Sequence, residues 1–380
     1  MTFLARERDT LEQYLPGLDK QLADIPLLDL EAPGNPGLGL FRSADGPALV
    51  VPPDYGGLGA SARDAVKIQR AVGARSPSLA VATTMHHFST ASLWELVALG
   101  GGMEWAMLQA IAENRWLVSS GFAEGRAQQH ILKPAMHARP APGGLLVNGS
   151  KKPCSLTWSM DVLSASVSVE EEDGRTRMAV VLVPASEAGI ERRPFWRSNI
   201  LAGAESDEVR CTDVLVNDAL VYYPREDADM DPVQSRGFLW FELLIAASYL
   251  GIASGLVERV LTEQRGSVED RALLAIELEA AAASLDSAAG ALDDATGAGG
   301  ADTGGSADLA TALFVRYATE RAIERAAMSA AALAGGMAFI GSPDVAYLLS
   351  ACRALAFHPP SRAAASQPLV SYLGGEPLVL

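Results

Sequence analysis

The chain has 380 residues, 30 Lys and Arg against 46 Asp and Glu, and a formal net charge of −16. That acidic balance argues against non-specific nucleic-acid binding, which needs clustered cations against phosphates, and against docking on an anionic membrane surface. Hydrophobic residues at 49% and charged residues at 20% belong to a globular chain with ample core.

The opening stretch MTFLARERDTLEQYL carries charges inside its apolar run and lacks a small-residue cleavage site, so no signal peptide is expected. No charge-free run reaches the roughly 18 apolar residues of a membrane span. The cysteines Cys154, Cys211 and Cys352 are odd in number and far apart, which fits reduced thiols in a cytoplasm and neither a disulfide framework nor a metal site.

Leu4, Leu11, Tyr14 and Leu15 recur at helical spacing before Pro16, and EAPGNPGLG then reads as a loop. The segment SARDAVKIQRAVGARS predicts a helix opening at Ser61, and 79–117 carries further helical patterns broken at Gly100–Gly102. The period changes at about 118. LLVNGSKK, DVLSASVSV, RMAVVLVPA, DEVRCTDVLV and ALVYY are short, β-branched and separated by turn residues, with EEEDGR (170–175) as a hairpin turn.

Helical patterns return in FLWFELLIAASYLGIASGLVERVLTEQ, which lacks a polar face and predicts a buried helix. RALLAIELEAAAASLDSAAGAL, DLATALFVRYATERAIERAAMSAAALAGG and VAYLLSACRALAF complete four helices, with ATGAGGADTGGS as a linker. The expected fold is α+β: an N-terminal helical domain (1–117), a central antiparallel β-barrel (118–228) and a C-terminal four-helix bundle (229–380).

This order and several local strings resemble the acyl-CoA dehydrogenase family over nearly the whole chain. VPPDYGGLGAS (51–61) is similar to the family's P-x-x-Y-G-G-x-G-x-S loop, and NGSKKPCSLTWSMD (148–161) to N-G-x-K-x-W-I-T-x-x-x-x-A-D. In the latter the resemblance implies a strand beside a flavin ring. Cys154 lies within it, Ser155 supplies the hydroxyl, and Pro153 replaces the packing aromatic. SGFAEG (120–125) stands at the family's T-E-P-G-A-G-S-D loop, placing Phe122 and Ala123 at the flavin; Gln129 replaces a Ser that helps hold the carrier's pyrophosphate.

The stretch 333–362 resembles the family's closing segment, with Gly335, Gly336 and Phe339 in register and Ser361 in the tip. The tip reads Phe357-His358-Pro359-Pro360-Ser361, without the family's Glu. Arg265 and Gly266 remain of an R-x-x-F-G motif that contacts the neighbouring subunit's flavin nucleotide.

The resemblance implies FAD, with FMN or no flavin as alternatives, and a homotetramer or homodimer. It also implies α,β-dehydrogenation of an acyl thioester on coenzyme A or acyl carrier protein, with an electron-accepting flavoprotein as a further partner. That reaction needs a base at the α-carbon. Glu242, a lone carboxylate in an apolar helix, is the first candidate, and facing an arginine of a neighbouring helix, or water, is its plainer alternative. His358 is the second candidate. His86-His87 are weaker candidates for substrate contact. Lys151, Lys152, Arg192, Arg193 and Arg197 are candidates for phosphates.

Two alternatives stand beside the dehydrogenase. One is a monooxygenase-type relative on the same fold that uses reduced flavin and O₂ and needs no α-proton base; loss of the tip Glu and of R-x-x-F-G fits it. The other is a catalytically silent binding subunit.

Overall fold

The structure is a computed structural model that describes residues 2–100, 102–123, 134–171, 174–225, 231–297 and 305–379. Helices come first: α1 (Ala5–Tyr14), α2 (Leu18–Ala23), α3 (Leu27–Glu31), α4 (Pro36–Ser43), α5 (Ala62–Arg75), α6 (Pro77–Ala98) and α7 (Glu104–Asn114). Strands follow: β1 (Val118–Gly121), β2 (His137–Ala141), β3 (Gly144–Cys154), β4 (Val162–Glu170), β5 (Thr176–Pro184), β6 (Ile190–Arg193), β7 (Asp207–Asn217) and β8 (Val221–Tyr222). The last elements are α8 (Pro232–Thr262), α9 (Val268–Gly297), α10 (Ser306–Gly341), α11 (Pro343–Cys352) and α12 (Arg362–Leu373).

Capping chemistry explains several starts. Ser61 caps α5, its hydroxyl accepting from the Asp64 amide at 3.2 Å. The EAPGNPGLG stretch is not a plain loop: Asn35 caps α4 by accepting from the Gly37 amide, and Pro36 sits at the first helical position, where its missing N–H costs nothing. VAYLLSACRALAF forms α11 only to Cys352 and then tightens into a 3₁₀ turn over Arg353–Phe357. Most of the expected ATGAGGADTGGS linker and the centre of EEEDGR lie outside the described residues.

The α+β expectation holds, but the sheet is mixed and not wholly antiparallel. Its strand order is β6-β7-β3-β2-β4-β5-β8, with β1 off that path on β4. Both β1 and β2 run parallel to β4, at Val162–Ala165 and at Ser168–Val169. They therefore lie end to end along one side of β4, while β5 takes the other side. β1, β2 and β6 are four or five residues long and polar or charged, too short for the alternation that marks the longer strands.

Helix α8 is the centre of the helical layers and packs on α5, α6, α9, α10 and α11. Its contact with α5 is backbone to backbone: a Cβ on Gly251 would lie 2.3 Å from the Arg70 carbonyl, and one on Gly73 2.3 Å from that of Ser248. Between α5, α6 and α8 the Gln69 amide donates to Thr84 (2.7 Å), Ser248 (3.0 Å) and the Ala80 carbonyl (2.9 Å), so this buried polar knot is paired. By length and composition α8 and α10 could each cross a membrane, but the apolar window of α8 is 94% buried within the fold, which makes it a core helix. α10 is interrupted at Gly335, whose φ of 82° is open to glycine and strained for other residues.

Glu31, at the end of α3, ties three regions together. Its carboxylate accepts from the Ser76 and Ser78 hydroxyls, the Ser78 amide and the Tyr347 hydroxyl of α11. Burial outweighs these donors and pushes the carboxyl up to about 7. A carboxyl protonated more easily in the fold than in the unfolded chain contributes stability that is full below its unfolded value, near 4.5, and is lost as pH rises through about 7. Against a Glu31→Gln variant, which cannot ionise there, the wild type loses stability across that window. Urea midpoints of both proteins at the two ends of the window check this, and a constant difference contradicts it.

Candidate active site

Two strand ends meet beside α6. At the end of β1 the Ser119 hydroxyl donates to the Ser155 carbonyl at 2.6 Å, and the Lys152 amide donates to the Ala123 carbonyl at 3.0 Å. Gly121 permits this approach, because a Cβ there would lie 3.1–3.2 Å from Leu163, Ala165 and Lys151. Phe122, Ala123, Pro153, Cys154 and Ser155 are thus brought together. The Cys154 thiol is buried and pushed up to about 12, so it belongs to the core. The resemblance's loop beyond Ala123, Glu124 and Gln129 included, lies outside the described residues.

This strip fits a flavin in one specific respect. The buried hydroxyls of Ser155 and Ser206 share a single hydrogen bond of 3.0 Å. Two hydroxyls in one bond leave one O–H donor uncommitted among the described residues, facing no acceptor of their own. A flavin ring edge, rich in carbonyl and ring-nitrogen acceptors, satisfies such a donor.

A chain of rings leads from the strip to the tip. Phe122 stands 6.4 Å from Phe88 of α6, Phe88 5.4 Å from Phe241 of α8, and Phe241 6.2 Å from His358. The Tyr249 hydroxyl lies 2.9 Å from His358 Nε2. Tyr249 is fully buried, and His358 is the one partner of its hydroxyl among the described residues. A buried hydroxyl gives its hydrogen to the acceptor it has, so Tyr249 donates to Nε2 and the proton of the neutral imidazole sits on Nδ1. Burial, with the Arg316 charge adding to it, drives His358 down to about 3, and the ring stays neutral near pH 7.

Glu242 does not face this ring chain as a free base. It is fully buried and paired with Arg316 of α10 at 2.7 Å. Burial pushes its carboxyl up to about 7 against the pull of Arg316. The second carboxylate oxygen has no partner among the described residues. Arg316 also donates to the carbonyls of His358 (2.6 Å), Pro359 (3.2 Å) and Leu355 (3.4 Å).

The remaining candidates stand apart from this site within one chain. Arg265 follows α8 and pairs with Glu263, and Gly266 backs onto Leu333 near the Gly335-Gly336 break. That end of α8 is roughly 20 Å from Tyr249 at 1.5 Å per residue. Ser361 caps α12 by accepting from the Ala364 amide. His86 is a strut: Nε2 reaches the Pro47 carbonyl at 2.9 Å, Nδ1 accepts from the Val118 amide at 3.0 Å, and burial lowers it to about 4. His87 is buried against Phe41, and neither ring nitrogen has a partner among the described residues.

As a phosphate collar the basic candidates are mostly committed elsewhere. Lys151 is buried and donates to Ser166, Arg192 donates to the Thr157 carbonyl, and Arg193 pairs with Glu191. Lys152 stands 3.5 Å from Glu208 and over the Phe195 ring. Arg197 is exposed.

Phe88, Phe241, Tyr249 and Arg316 escaped the sequence. One signal was available: Tyr249 is seven residues after Glu242, two helical turns along the same face.

No family model matches the chain. It is similar to the isobutylamine N-hydroxylase of Streptomyces viridifaciens, 45% identical over 383 aligned positions that cover 100% of both chains. A dibenzothiophene monooxygenase of Rhodococcus erythropolis is 28% identical over 218 positions, 56% of this chain and 51% of that one. Among solved structures, FMN-bound TdsC from Paenibacillus sp. A11-2 superposes with a TM-score of 0.80 at 17% identity, over 99% of this chain and 98% of that one. These findings overturn the expected dehydrogenation of an acyl thioester on coenzyme A or a carrier protein. The relative matched end to end is an N-hydroxylase, and the carboxylate expected to serve as base is locked to Arg316.

Proposed function

The chain belongs to the acyl-CoA dehydrogenase superfamily, and we propose that within it this protein is a flavin-dependent monooxygenase that hydroxylates the nitrogen of an amine. The observation that carries this is the 45% identity to isobutylamine N-hydroxylase along the whole of both chains. FMN, named with TdsC, is the flavin this reading takes, in place of FAD. The partner of such chemistry is a flavin reductase that delivers electrons, not a flavoprotein that removes them.

When bound, reduced flavin supplies two electrons to O₂, so that one oxygen atom goes to the substrate and the other leaves as water. The chain does the rest. Ser155 or Ser206 holds the flavin edge through the uncommitted hydroxyl. Phe88, Phe122 and Phe241, in contact ring to ring, give the reacting centre an apolar wall that disfavours water. His358, neutral and protonated at Nδ1, holds a proton for the oxygen being transferred, and Tyr249 fixes the ring by its bond to Nε2. No carboxylate base is required, which agrees with the commitment of Glu242 to Arg316.

Assembly as a homodimer or homotetramer is part of the proposal. Met337, Phe339 and Ile340 are exposed past the α10 break. A second copy would cover them and could carry Arg265 and Gly335-Gly336 to a neighbour's flavin. A cytoplasmic location fits the soluble core helix α8 and the reduced, buried cysteines.

The test is turnover of a short aliphatic primary amine, with reduced FMN regenerated by a separate reductase under isotopically labelled O₂. A hydroxylamine carrying one labelled oxygen supports the proposal. Oxygen consumed only to peroxide, with the amine recovered intact, overturns it. At the cofactor, Ser155→Ala is expected to weaken FMN binding about 3- to 10-fold, the worth of one neutral hydrogen bond. Quenching of flavin fluorescence in a titration checks that, and an unchanged affinity removes Ser155 from the flavin site.

A further inference from the structure

We propose that the buried Glu242–Arg316 pair is the clamp that positions His358, so that both residues act on the chemistry through the histidine and neither touches the substrate. The inference rests on the role given to His358 above, but its geometry stands by itself. Arg316 and Glu242 are 1% and 0% exposed. The guanidinium spends one nitrogen on Glu242 and the Pro359 carbonyl and another on the carbonyls of Leu355 and His358. The neighbouring Tyr317 hydroxyl donates to the Pro360 carbonyl at 2.9 Å. Four carbonyls of the tip, at 355, 358, 359 and 360, are therefore turned toward α10. Besides these bonds the tip has the Tyr249 hydroxyl on the ring, the His358 amide on the Leu355 carbonyl and the Ser361 cap of α12; two prolines follow His358, and Phe357 is 84% exposed.

A planar fork donates from separate nitrogens in fixed directions and so reaches Glu242 and carbonyls on two sides at once, whereas the donors of a lysine all leave from one point. A guanidinium so deeply buried needs a countercharge, and Glu242 provides it. The same helix that carries Glu242 also carries Tyr249, seven residues on, so α8 holds the His358 ring directly and its backbone through Arg316. The titratable and charged groups around His358 are Tyr249 and Glu242 from α8 and Arg316 and Tyr317 from α10, with Glu320 and Arg362 facing each other at 3.7 Å beyond the tip. Of these, Arg316 is the cation that disfavours a charged imidazole, in the same direction as burial.

The experiment uses the full chain as the double variant Glu242→Leu with Arg316→Met. Replacing both members of a buried pair by apolar residues of similar size commonly preserves folding, whereas removing one strands a charge. Arg316→Lys is the companion that keeps the charge without the fork. The first readout is the His358 ring resonance, followed by NMR against pH in histidine-labelled protein and assigned by its loss in His358→Gln. In the wild type it should stay untitrated down to about pH 4; in the double variant, where a released tip exposes the ring to water and the Arg316 charge is gone, its titration should move up toward the value of a free histidine, about 6.5.

The second readout is the acid limb of the pH–rate profile, which should move the same way. The kcat for amine hydroxylation should fall at least tenfold in the double variant and in Arg316→Lys, with KM for the amine within about threefold of wild type. A folded double variant whose His358 resonance and acid limb stay where the wild type has them overturns the clamp. Normal turnover in His358→Gln overturns the role of His358 instead, and the clamp is then judged on the resonance alone.

Discussion

His358→Gln is expected to lower kcat for amine hydroxylation by about 10²- to 10⁴-fold, the range a positioned proton donor or acceptor contributes, while FMN affinity and thermal midpoint stay close to wild type. The imidazole is the polar group at the end of the Phe88–Phe241 ring chain, it is held by one hydroxyl at Nε2, and it is neutral near pH 7. Glutamine keeps a similar reach and a hydrogen-bonding head, so the fold should tolerate it. What it cannot do is exchange a proton in the transition state. Oxygen consumption should continue in the variant, because reduced flavin still meets O₂, but it should become uncoupled and yield peroxide in place of hydroxylamine. Measuring amine consumed per O₂ consumed separates the two. A variant that keeps the coupling ratio of the wild type would remove His358 from the chemistry.

Much of the architecture was legible along the chain because it is written in local signals. The change from 3.6-residue to two-residue periodicity near 118 announces the strands, and Ser61 and the apolar run from Phe238 mark α5 and α8. What stayed hidden depends on distant partners. The strand β1, which carries one side of the cofactor strip, is four residues of Val-Ser-Ser-Gly with no alternation to betray it, and its existence depends on pairing with β4 more than 40 residues on.

Glu242 was conspicuous as a lone carboxylate, but its role was decided by Arg316, 74 residues away in an alanine-rich helix where an arginine looks like surface. The functional assignment turned on the same point. The missing tip Glu and broken R-x-x-F-G already departed from dehydrogenase chemistry, and the structure adds that no free carboxylate on α8 replaces the lost base. An unpaired buried carboxylate is expensive, so its presence in the sequence pointed equally to a catalyst and to a hidden cation; only packing separates the two.

The same reasoning gives a large stability effect at a second buried pair. Arg70→Met should cost about 3–5 kcal/mol, the usual consequence of stranding one member of a buried ion pair. Arg70 lies within α5 and is 2% exposed. Its guanidinium donates to Glu7 of α1 and Glu279 of α9 at 2.7 Å each, and through Nε to the Ser254 hydroxyl of α8 at 3.1 Å. One side chain of α5 thus joins three other helices.

Methionine fills the volume but leaves the buried Glu7 carboxylate without its cation, while Glu279, 37% exposed, can turn to solvent. The double variant Arg70→Met with Glu7→Leu removes both buried charges and should recover most of the loss, because a well-packed apolar pair is often as stable as the ion pair it replaces. Urea unfolding of wild type, single and double variants measures this directly. A single variant within about 1 kcal/mol of wild type, or a double variant no better than the single, would mean that α1 is held to α5 and α9 by its leucines and not by this charge cluster.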